Sequence, residues 1–201
     1  MMNRAVCWLL GLSGLLLVQQ LNAAQPVEQV ADLATEQTAA VANFHLQLVA
    51  MMKLPDHAAR AALIEPVVVD LFDLRRIASV SLGRSWQTLT APERAEFVQR
   101  LTELVVATYA DRFDNYAGQR FEHVQTETVR DGTVVRTVLH TSKATVQLDY
   151  FLRDGRVFNV AADGVSDLSL RRADYSSIIK TEGYPALMDH IQRKIQEARG
   201  Q

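Results

Sequence analysis

Hydrophobic residues recur at helical spacing through the first half of the chain, from Pro26 to Gly118. The pattern predicts a long first helix that ends before Pro55, a second helix from Asp56 to about Asp70, and a third over residues 72–86. The sequence Thr-Ala-Pro-Glu at 90–93 has the form of a capping box and predicts the start of a fourth helix. The apolar stripe predicted for the first helix consists of Val30, Leu33, Val41, Phe44, Leu48 and Met51.

The spacing changes to a period of two after Gly118, which is typical of strands with one buried face. Four strands are predicted, and two Asp-Gly pairs, at 131–132 and 154–155, predict the tight turns of two hairpins. Helical spacing returns over residues 174–182 and 185–198. The predicted strands cover residues 121–130, 133–140, 144–153 and 156–161.

The order of these elements, helices followed by a strand meander and then by helices again, predicts an α+β fold. We expect a twisted antiparallel four-stranded sheet packed by helices from both the N-terminal and the C-terminal parts of the chain. Amphipathic helices on one face of a curved sheet can enclose an apolar cavity. A filled core would give the same periodicity, so the pattern by itself does not distinguish a cavity wall from a packed core.

The first 24 residues have the pattern of a secretory signal peptide. Arg4 is their single charged residue, and it precedes an apolar run that is shorter than the roughly 20 residues needed to cross a bilayer. Small residues follow and predict cleavage after Ala23 or Ala24, which leaves a single domain over residues 25–201. An uncleaved membrane anchor is the alternative. Cys7, the only cysteine, lies within this segment, so the mature chain is expected to contain no disulfide.

Composition and charge argue against several classes of function. The chain has 21 basic and 23 acidic residues, and so close a balance gives no field that would favour binding to nucleic acid. The five histidines have no spacing typical of a metal site, and the sequence contains no phosphate-binding loop. We therefore predict no catalytic residue, no metal and no cofactor. An enzyme would need an acid–base group inside the cavity, for which a buried Asp149 or His140 would be the candidate.

Several short motifs occur along the chain in a distinctive order. They are Phe-Asp-Leu-Arg-Arg-Ile-Ala at 72–78, Ser-Leu-Gly-Arg-Ser-Trp at 81–86, Thr-Tyr-Ala at 108–110, Tyr-x-Gly-Gln at 116–119, Tyr-x-Leu-Arg at 150–153 and Asp-Gly-Val-Ser at 163–166. In this order and spacing they resemble the MlaC family, whose members are also called toluene-tolerance auxiliary proteins. The resemblance extends from about Pro26 to Ile195.

The resemblance implies a periplasmic phospholipid carrier that is not an enzyme. In this family the acyl chains lie in an apolar space between a twisted sheet and the surrounding helices. The carrier, expected to be a monomer, would exchange lipid with an inner-membrane ABC transporter bearing an MCE-domain protein and with an outer-membrane lipoprotein–porin complex. Such exchange would maintain the lipid asymmetry of the envelope. The basic stretch around Arg171 and Arg172 is similar to a branch associated with hopanoid biosynthesis, so a hopanoid-type lipid is the alternative cargo.

Apolar residues from both halves of the chain are the candidate wall of the lipid cavity, and each could equally belong to a packed core. Trp86 and Tyr109 also carry a polar group and suit a position near the mouth. Arg84, Arg171 and Arg172 are candidates for contact with a headgroup or a partner, because a guanidinium binds phosphate bidentately; a solvated face is the alternative. The predicted lipid-binding residues are Phe72, Ile77, Leu82, Trp86, Phe97, Leu101, Val105, Tyr109, Val138, Val146, Leu148, Tyr150, Val160, Tyr175 and Ile179.

Two other classes of function fit the same hydrophobic pattern. A periplasmic α+β enzyme would combine an apolar pocket with a buried acid–base residue. A periplasmic interaction module would have a filled core and an exposed patch, whereas a lipid carrier requires a deep apolar cavity.

Overall fold

The chain folds as a set of helices, then a sheet, then two further helices, in the order that the hydrophobic spacing predicts. A computed structural model describes residues 25–200, with side chains from Leu33 onward. The predicted signal peptide and its cleavage site lie outside the described residues. The helices are α1 (Gln25–Met51), α2 (His57–Leu71), α3 (Leu74–Leu82), α4 (Ser85–Thr88), α5 (Ala91–Arg112), α6 (Asp167–Glu182) and α7 (Tyr184–Ala198). The strands are β1 (Arg120–Val129), β2 (Gly132–His140), β3 (Thr145–Arg153), β4 (Arg156–Ala162) and β5 (Val165–Ser166).

Two helices begin at capping residues that the sequence contains at the expected positions. Asp56 precedes α2, and its carboxylate accepts a hydrogen bond from Ala59 N at 2.8 Å. The capping box predicted for α5 is confirmed, because Thr90 N donates to Glu93 Oε2 at 2.7 Å and the Thr90 hydroxyl accepts from Glu93 N at 3.4 Å. These side chains satisfy backbone amides that have no partner within the helix.

The buried face of α1 begins later than the sequence predicts. Leu33, which was expected on the buried stripe, is 52% exposed. The buried positions start at Gln37 and Val41 and continue through Phe44 and Leu48. The side chains at 33–36 are therefore less buried than those of the core-facing positions that follow.

The helix predicted over residues 72–86 is wrong in its bounds. Phe72 has an extended backbone and forms an isolated parallel bridge with Val157, and the carboxylate of Asp73 caps the start of α3. Gly83 then ends α3 with a φ of +55°, a conformation that favours glycine. Ser85 and Trp86 belong to the separate short helix α4.

The helix predicted from Asp174 to Glu182 begins earlier, at Asp167. Its cap is the hydroxyl of Ser166, which accepts a backbone hydrogen bond at 3.1 Å. Only Leu168 and Tyr175 of this helix are buried. Because so few of its positions face the core, its first turns have little hydrophobic periodicity and the sequence did not reveal them.

The sheet is an antiparallel meander in the order β1-β2-β3-β4-β5. The α+β prediction is confirmed, but the number of strands is five and not four. Val165 and Ser166 form a fifth strand that pairs with Ala162 and Ala161, and a strand of two residues is too short for alternation to reveal it. The two predicted hairpins are confirmed at the β1–β2 and β3–β4 connections.

The core lies between one face of the sheet and the helices. Among its largest fully buried side chains are Phe44 of α1, Phe97 of α5 and Tyr150 of β3. Tyr150 is opposite Val135 on β2 and Val160 on β4, so it occupies the middle of the sheet. Within residues 25–200, none of the helices combines the length and the apolar character that a membrane span requires.

Candidate functional site

An apolar cavity, called cavity A, lies between the sheet and the helices α3, α5 and α6. Its volume is about 410 Å³, and protein ligand sites commonly have volumes of about 300–1,000 Å³. Most of the residues around it are aliphatic or aromatic. The lining consists of Leu48, Phe72, Ile77, Val105, Thr108, Tyr109, Arg112, Phe113, Leu139, Leu148, Tyr150, Phe158, Asn159, Val160, Ala162, Val165, Asp167, Leu168, Leu170 and Arg171.

The sheet side of cavity A follows from the alternation of side chains along β3 and β4. Leu148 and Tyr150 are two residues apart on β3 and therefore lie on the same face. The strand register places them opposite Ala162 and Val160 of β4, which also line the cavity. Adjacent register positions thus form a continuous apolar surface, the kind of surface against which a hydrocarbon chain can lie.

Aromatic side chains form the side of cavity A next to α5. The ring of Tyr109 lies 6.1 Å from that of Phe72 and 6.0 Å from that of Phe113, measured between centroids. Behind this wall, Phe44 meets Tyr109 edge-on at 5.3 Å. Burial, assisted by the nearby charge of Asp167, raises the pKa of the Tyr109 hydroxyl, which therefore stays neutral at physiological pH.

The mouth of cavity A combines exposed apolar residues with charged ones. Val165 and Leu170 line the cavity and are nevertheless 54% and 58% exposed. Arg171 Nε donates to Asp167 Oδ2 at 2.6 Å. Burial lowers the pKa of Arg171, but the charges and hydrogen bonds of Asp167 and Tyr175 together raise it overall. Arg112 also lines the cavity, and its guanidinium forms no hydrogen bond or ion pair with the part of the chain that the structure describes.

Seven of the fifteen predicted lipid-binding residues lie together around cavity A. They come from separate parts of the sequence, and the fold brings them together around one space between the sheet and the helices. Whether they contact lipid stays a prediction. The seven are Phe72, Ile77, Val105, Tyr109, Leu148, Tyr150 and Val160.

The other eight predicted residues do not line cavity A. Five of them, Leu82, Trp86, Phe97, Leu101 and Tyr175, are buried within the hydrophobic core.

The remaining three, Val138, Val146 and Ile179, are only partly buried. Val138 lies between Thr137 and Leu139 on β2, so the alternation of the strand directs it to the opposite sheet face. Helical or strand periodicity identifies which residues are apolar and inward-facing, but it does not locate the gap between packed elements.

Of the three arginines predicted for headgroup or partner contact, only Arg171 lines cavity A. Arg84 and Arg172 are exposed. The guanidinium of Arg172 lies beside Gly83, 3.6 Å from the position that a Cβ atom would occupy there. Arg172 therefore lies at the end of α3, next to the residue that precedes Arg84, and neither arginine lines the cavity.

Sequence reasoning missed Arg112, a cation at the mouth that has no acidic partner among residues 33–200. Its position in the chain contains a usable signal, because it follows Tyr109 by three residues on α5. Residues three apart on a helix lie on adjacent parts of one face. Once Tyr109 is placed at the cavity, Arg112 is expected near the same opening.

Neither residue proposed for an enzymatic role lines cavity A. Asp149 pairs with Arg136 at 3.1 Å, and His140 bonds to Glu122 at 3.0 Å. Within residues 25–200 there is no group of three or more side chains that could hold a metal ion. The titratable tyrosines of the cavity, Tyr109 and Tyr150, have pKa values raised by burial. The lining of cavity A is mostly apolar, and an apolar ligand fits such a surface.

Comparison with known proteins agrees with the resemblance carried by the motifs. Among solved structures, a phospholipid-binding protein from Ralstonia solanacearum, determined in complex with a phospholipid, has a similar fold with a TM-score of 0.71. The two sequences are 18% identical, and the match covers 80% of this chain and 97% of the other. No curated protein sequence matches the chain at a significant level. The family model described as MlaC protein matches residues 41–193, most of the sequence, and the chain therefore belongs to the MlaC family.

Proposed function

We propose that this protein binds the acyl chains of a phospholipid in cavity A and carries the lipid across the periplasm. The observation that carries the proposal is an apolar cavity with a charged mouth in a protein of the MlaC family. The fold that it has in common with the phospholipid-binding protein from Ralstonia solanacearum supports the same cargo.

The energetics of a lipid carrier require an interior of this kind. Each methylene removed from water contributes about 0.8 kcal/mol, so a long acyl chain leaves a bilayer only for an equally apolar environment. The apolar walls on β3, β4 and α5 provide that environment in cavity A. Polar contacts then orient the lipid and contribute less to its retention.

The headgroup is assigned to the charged mouth. Among the described side chains Arg112 has no acidic partner and can pair with a phosphate, whereas the charge of Arg171 is already balanced by Asp167. Arg172, the other member of the pair that suggested a hopanoid-type cargo, does not line cavity A. No observation at the cavity therefore favours a hopanoid over a phospholipid.

The transport role extends this binding function to the envelope. The carrier would be exported to the periplasm through its first 24 residues and would exchange lipid with an inner-membrane ABC transporter and an outer-membrane lipoprotein–porin complex. The exposed pair Arg84 and Arg172 is the candidate docking surface for one of these partners. Because a binding cavity has no direction of its own, the direction of transport would be set by the partners.

The test uses the full-length chain expressed in a Gram-negative host. The protein purified from the periplasmic fraction should begin at Ala24 or Gln25, and extraction with organic solvent should release phospholipid that mass spectrometry identifies. Leu148→Glu places a charge on the cavity wall and should abolish retention and uptake from phosphatidylglycerol vesicles. Thr145→Glu, an exposed position on the same strand, is the control and should retain lipid. Absence of lipid from the wild type, with no uptake from vesicles, would contradict the proposal.

A further inference from the structure

A second cavity, called cavity B, lies between α1 and the strands β1 and β2. Its volume is about 350 Å³, and no residue that lines it also lines cavity A. The inner part is formed by Val41, Val135 and Thr137, which are at most 2% exposed. Leu46 lies at the outer part and is 67% exposed. Cavity B is thus a deep recess with an apolar side chain in solvent at its rim.

The polar groups around cavity B already have partners within the protein. The Thr137 hydroxyl donates to a backbone carbonyl of β3 at 3.1 Å. The Thr38 hydroxyl donates to a backbone carbonyl of α1 at 2.7 Å. At the rim, the guanidinium of Arg120 pairs with Glu122 at 2.8 Å. A recess whose polar groups are satisfied and whose other walls are apolar favours an apolar ligand over a polar one.

Cavities A and B are separated by a thin wall of rings. His45 lines cavity B and Tyr150 lines cavity A, and His45 Nε2 is hydrogen-bonded to the Tyr150 hydroxyl at 2.9 Å. Phe121 lines cavity B and stacks on His45 at 4.1 Å. Phe113 lines cavity A and lies 6.3 Å from Phe121. One ring from each side therefore separates the two spaces, which lie against the same face of the sheet.

We propose that cavity B is a second binding site for a hydrocarbon chain, separated from cavity A by His45 and Tyr150. The proposal rests on the proposed function, because it gives cavity B a chain of the lipid class assigned to cavity A. The depth of cavity B and its closeness to cavity A favour a lipid chain over a segment of a partner protein. The inner residues are almost completely buried, and the wall to the lipid cavity is two rings thick.

The test counts bound palmitate, a single-chain probe, by native mass spectrometry of the mature protein. Ala42→Trp fills cavity B from an exposed position on α1, and Ala162→Trp fills cavity A from an exposed position on β4. Ala50→Trp is the matched control, because this exposed residue of α1 lines neither cavity. Each filling variant should bind one palmitate fewer than the wild type, and the control should bind the wild-type number.

A second measurement tests the proposal without relying on the folding of Ala42→Trp. Palmitate titrated into Ala162→Trp, with cavity A filled, should still shift the imidazole resonances of His45 in NMR spectra. No shift, or a wild-type palmitate count in folded Ala42→Trp, would overturn the proposal. A protein species of twice the monomer mass, with no bound palmitate, would also overturn the proposal. It would assign cavity B to contact with a second copy of the chain. If instead Ala162→Trp takes up phosphatidylglycerol from vesicles as the wild type does, the proposed function of cavity A fails and cavity B is unaffected.

Discussion

His45 of α1 and Tyr150 of β3 are joined by a hydrogen bond of 2.9 Å between the imidazole Nε2 and the phenol oxygen. Both side chains are buried, with 6% and 2% of their surface exposed. Burial lowers the pKa of His45 to about 4 and raises the pKa of Tyr150 well above its ordinary value. Both groups are therefore neutral near pH 7, and the helix is linked to the sheet by a polar contact that contains no charge.

Stability is expected to decrease as the pH falls from about 6.5 to 4. His45 binds its proton near pH 6.5 in the unfolded chain but only near pH 4 in the folded protein. Within this window the unfolded state holds more protons than the folded state. The free energy of unfolding therefore decreases as the pH decreases. This difference in the pKa of His45 corresponds to a loss on the order of 3 kcal/mol in the free energy of unfolding, complete once His45 is protonated in both states. Urea unfolding at a series of pH values measures it.

The contribution of His45 is isolated by comparison with two variants. His45→Gln has no titrating group at this position and should lose less stability between pH 6.5 and 4 than the wild type. His123→Gln, at an exposed position, should follow the wild-type curve. Parallel curves for the wild type and His45→Gln would refute the linkage.

Gly132 is required where β2 begins beside β3. A Cβ atom at this residue would lie 2.0 Å from the backbone oxygen of Leu152. Gly132→Ala is therefore expected to lower the free energy of unfolding by at least about 2 kcal/mol, because the paired strands would have to separate. Gly155→Ala is the matched control: its φ of +76° makes it unfavourable by roughly 1 kcal/mol, but, apart from its chain neighbours, no described residue lies within 4 Å of its added Cβ. Equal losses in the two variants would contradict the steric argument.

The local features of the fold were predictable because adjacent residues determine them. The capping box at Thr90 and the Asp-Gly turns have their structural causes within three or four residues of sequence. Contacts between distant segments were not predictable in this way. The bridge from Phe72 to Val157 depends on where α3 meets β4, and a helical pattern does not contain that information.

The same distinction explains how much of the candidate site could be predicted. Tyr109 and Leu148 are among the predicted lipid-binding residues, and they do line cavity A. Phe97 is equally apolar and inward-facing, but it packs against Tyr175 at 6.1 Å in the helical core. Which inward-facing residues line a cavity depends on where the packed helices and strands leave a gap. The motifs contributed only by indicating a family in which an apolar cavity is expected.

The cap of α5 should contribute to stability without affecting lipid binding. Thr90→Ala removes the hydroxyl that accepts from Glu93 N and should cost about 1 kcal/mol in the free energy of unfolding. Thr90→Ser retains an accepting oxygen and should be close to the wild type. Thermal and urea unfolding measure the stability, and vesicle uptake should be equal in all three proteins. A loss of uptake in folded Thr90→Ala would connect this helix end to the lipid site, contrary to the proposal.

The two arginines at the mouth of cavity A should have different roles. Arg112 pairs with no acidic residue in the part of the chain whose side chains the structure describes. Arg112→Gln should therefore weaken uptake from phosphatidylglycerol vesicles about three- to tenfold, roughly 1 kcal/mol, with little change in stability. Arg171→Gln removes the partner of Asp167 and should reduce stability as well as uptake.

The control for the change in charge is Arg130→Gln, at an exposed position that lines neither cavity. Uptake is measured at low and high salt, since screening weakens an exposed ion pair far more than it weakens apolar contacts. Salt should reduce uptake by the wild type and by Arg130→Gln, and should affect Arg112→Gln much less. If Arg112→Gln and Arg130→Gln take up lipid equally well at low salt, Arg112 does not contact the headgroup, and retention depends on the apolar wall alone.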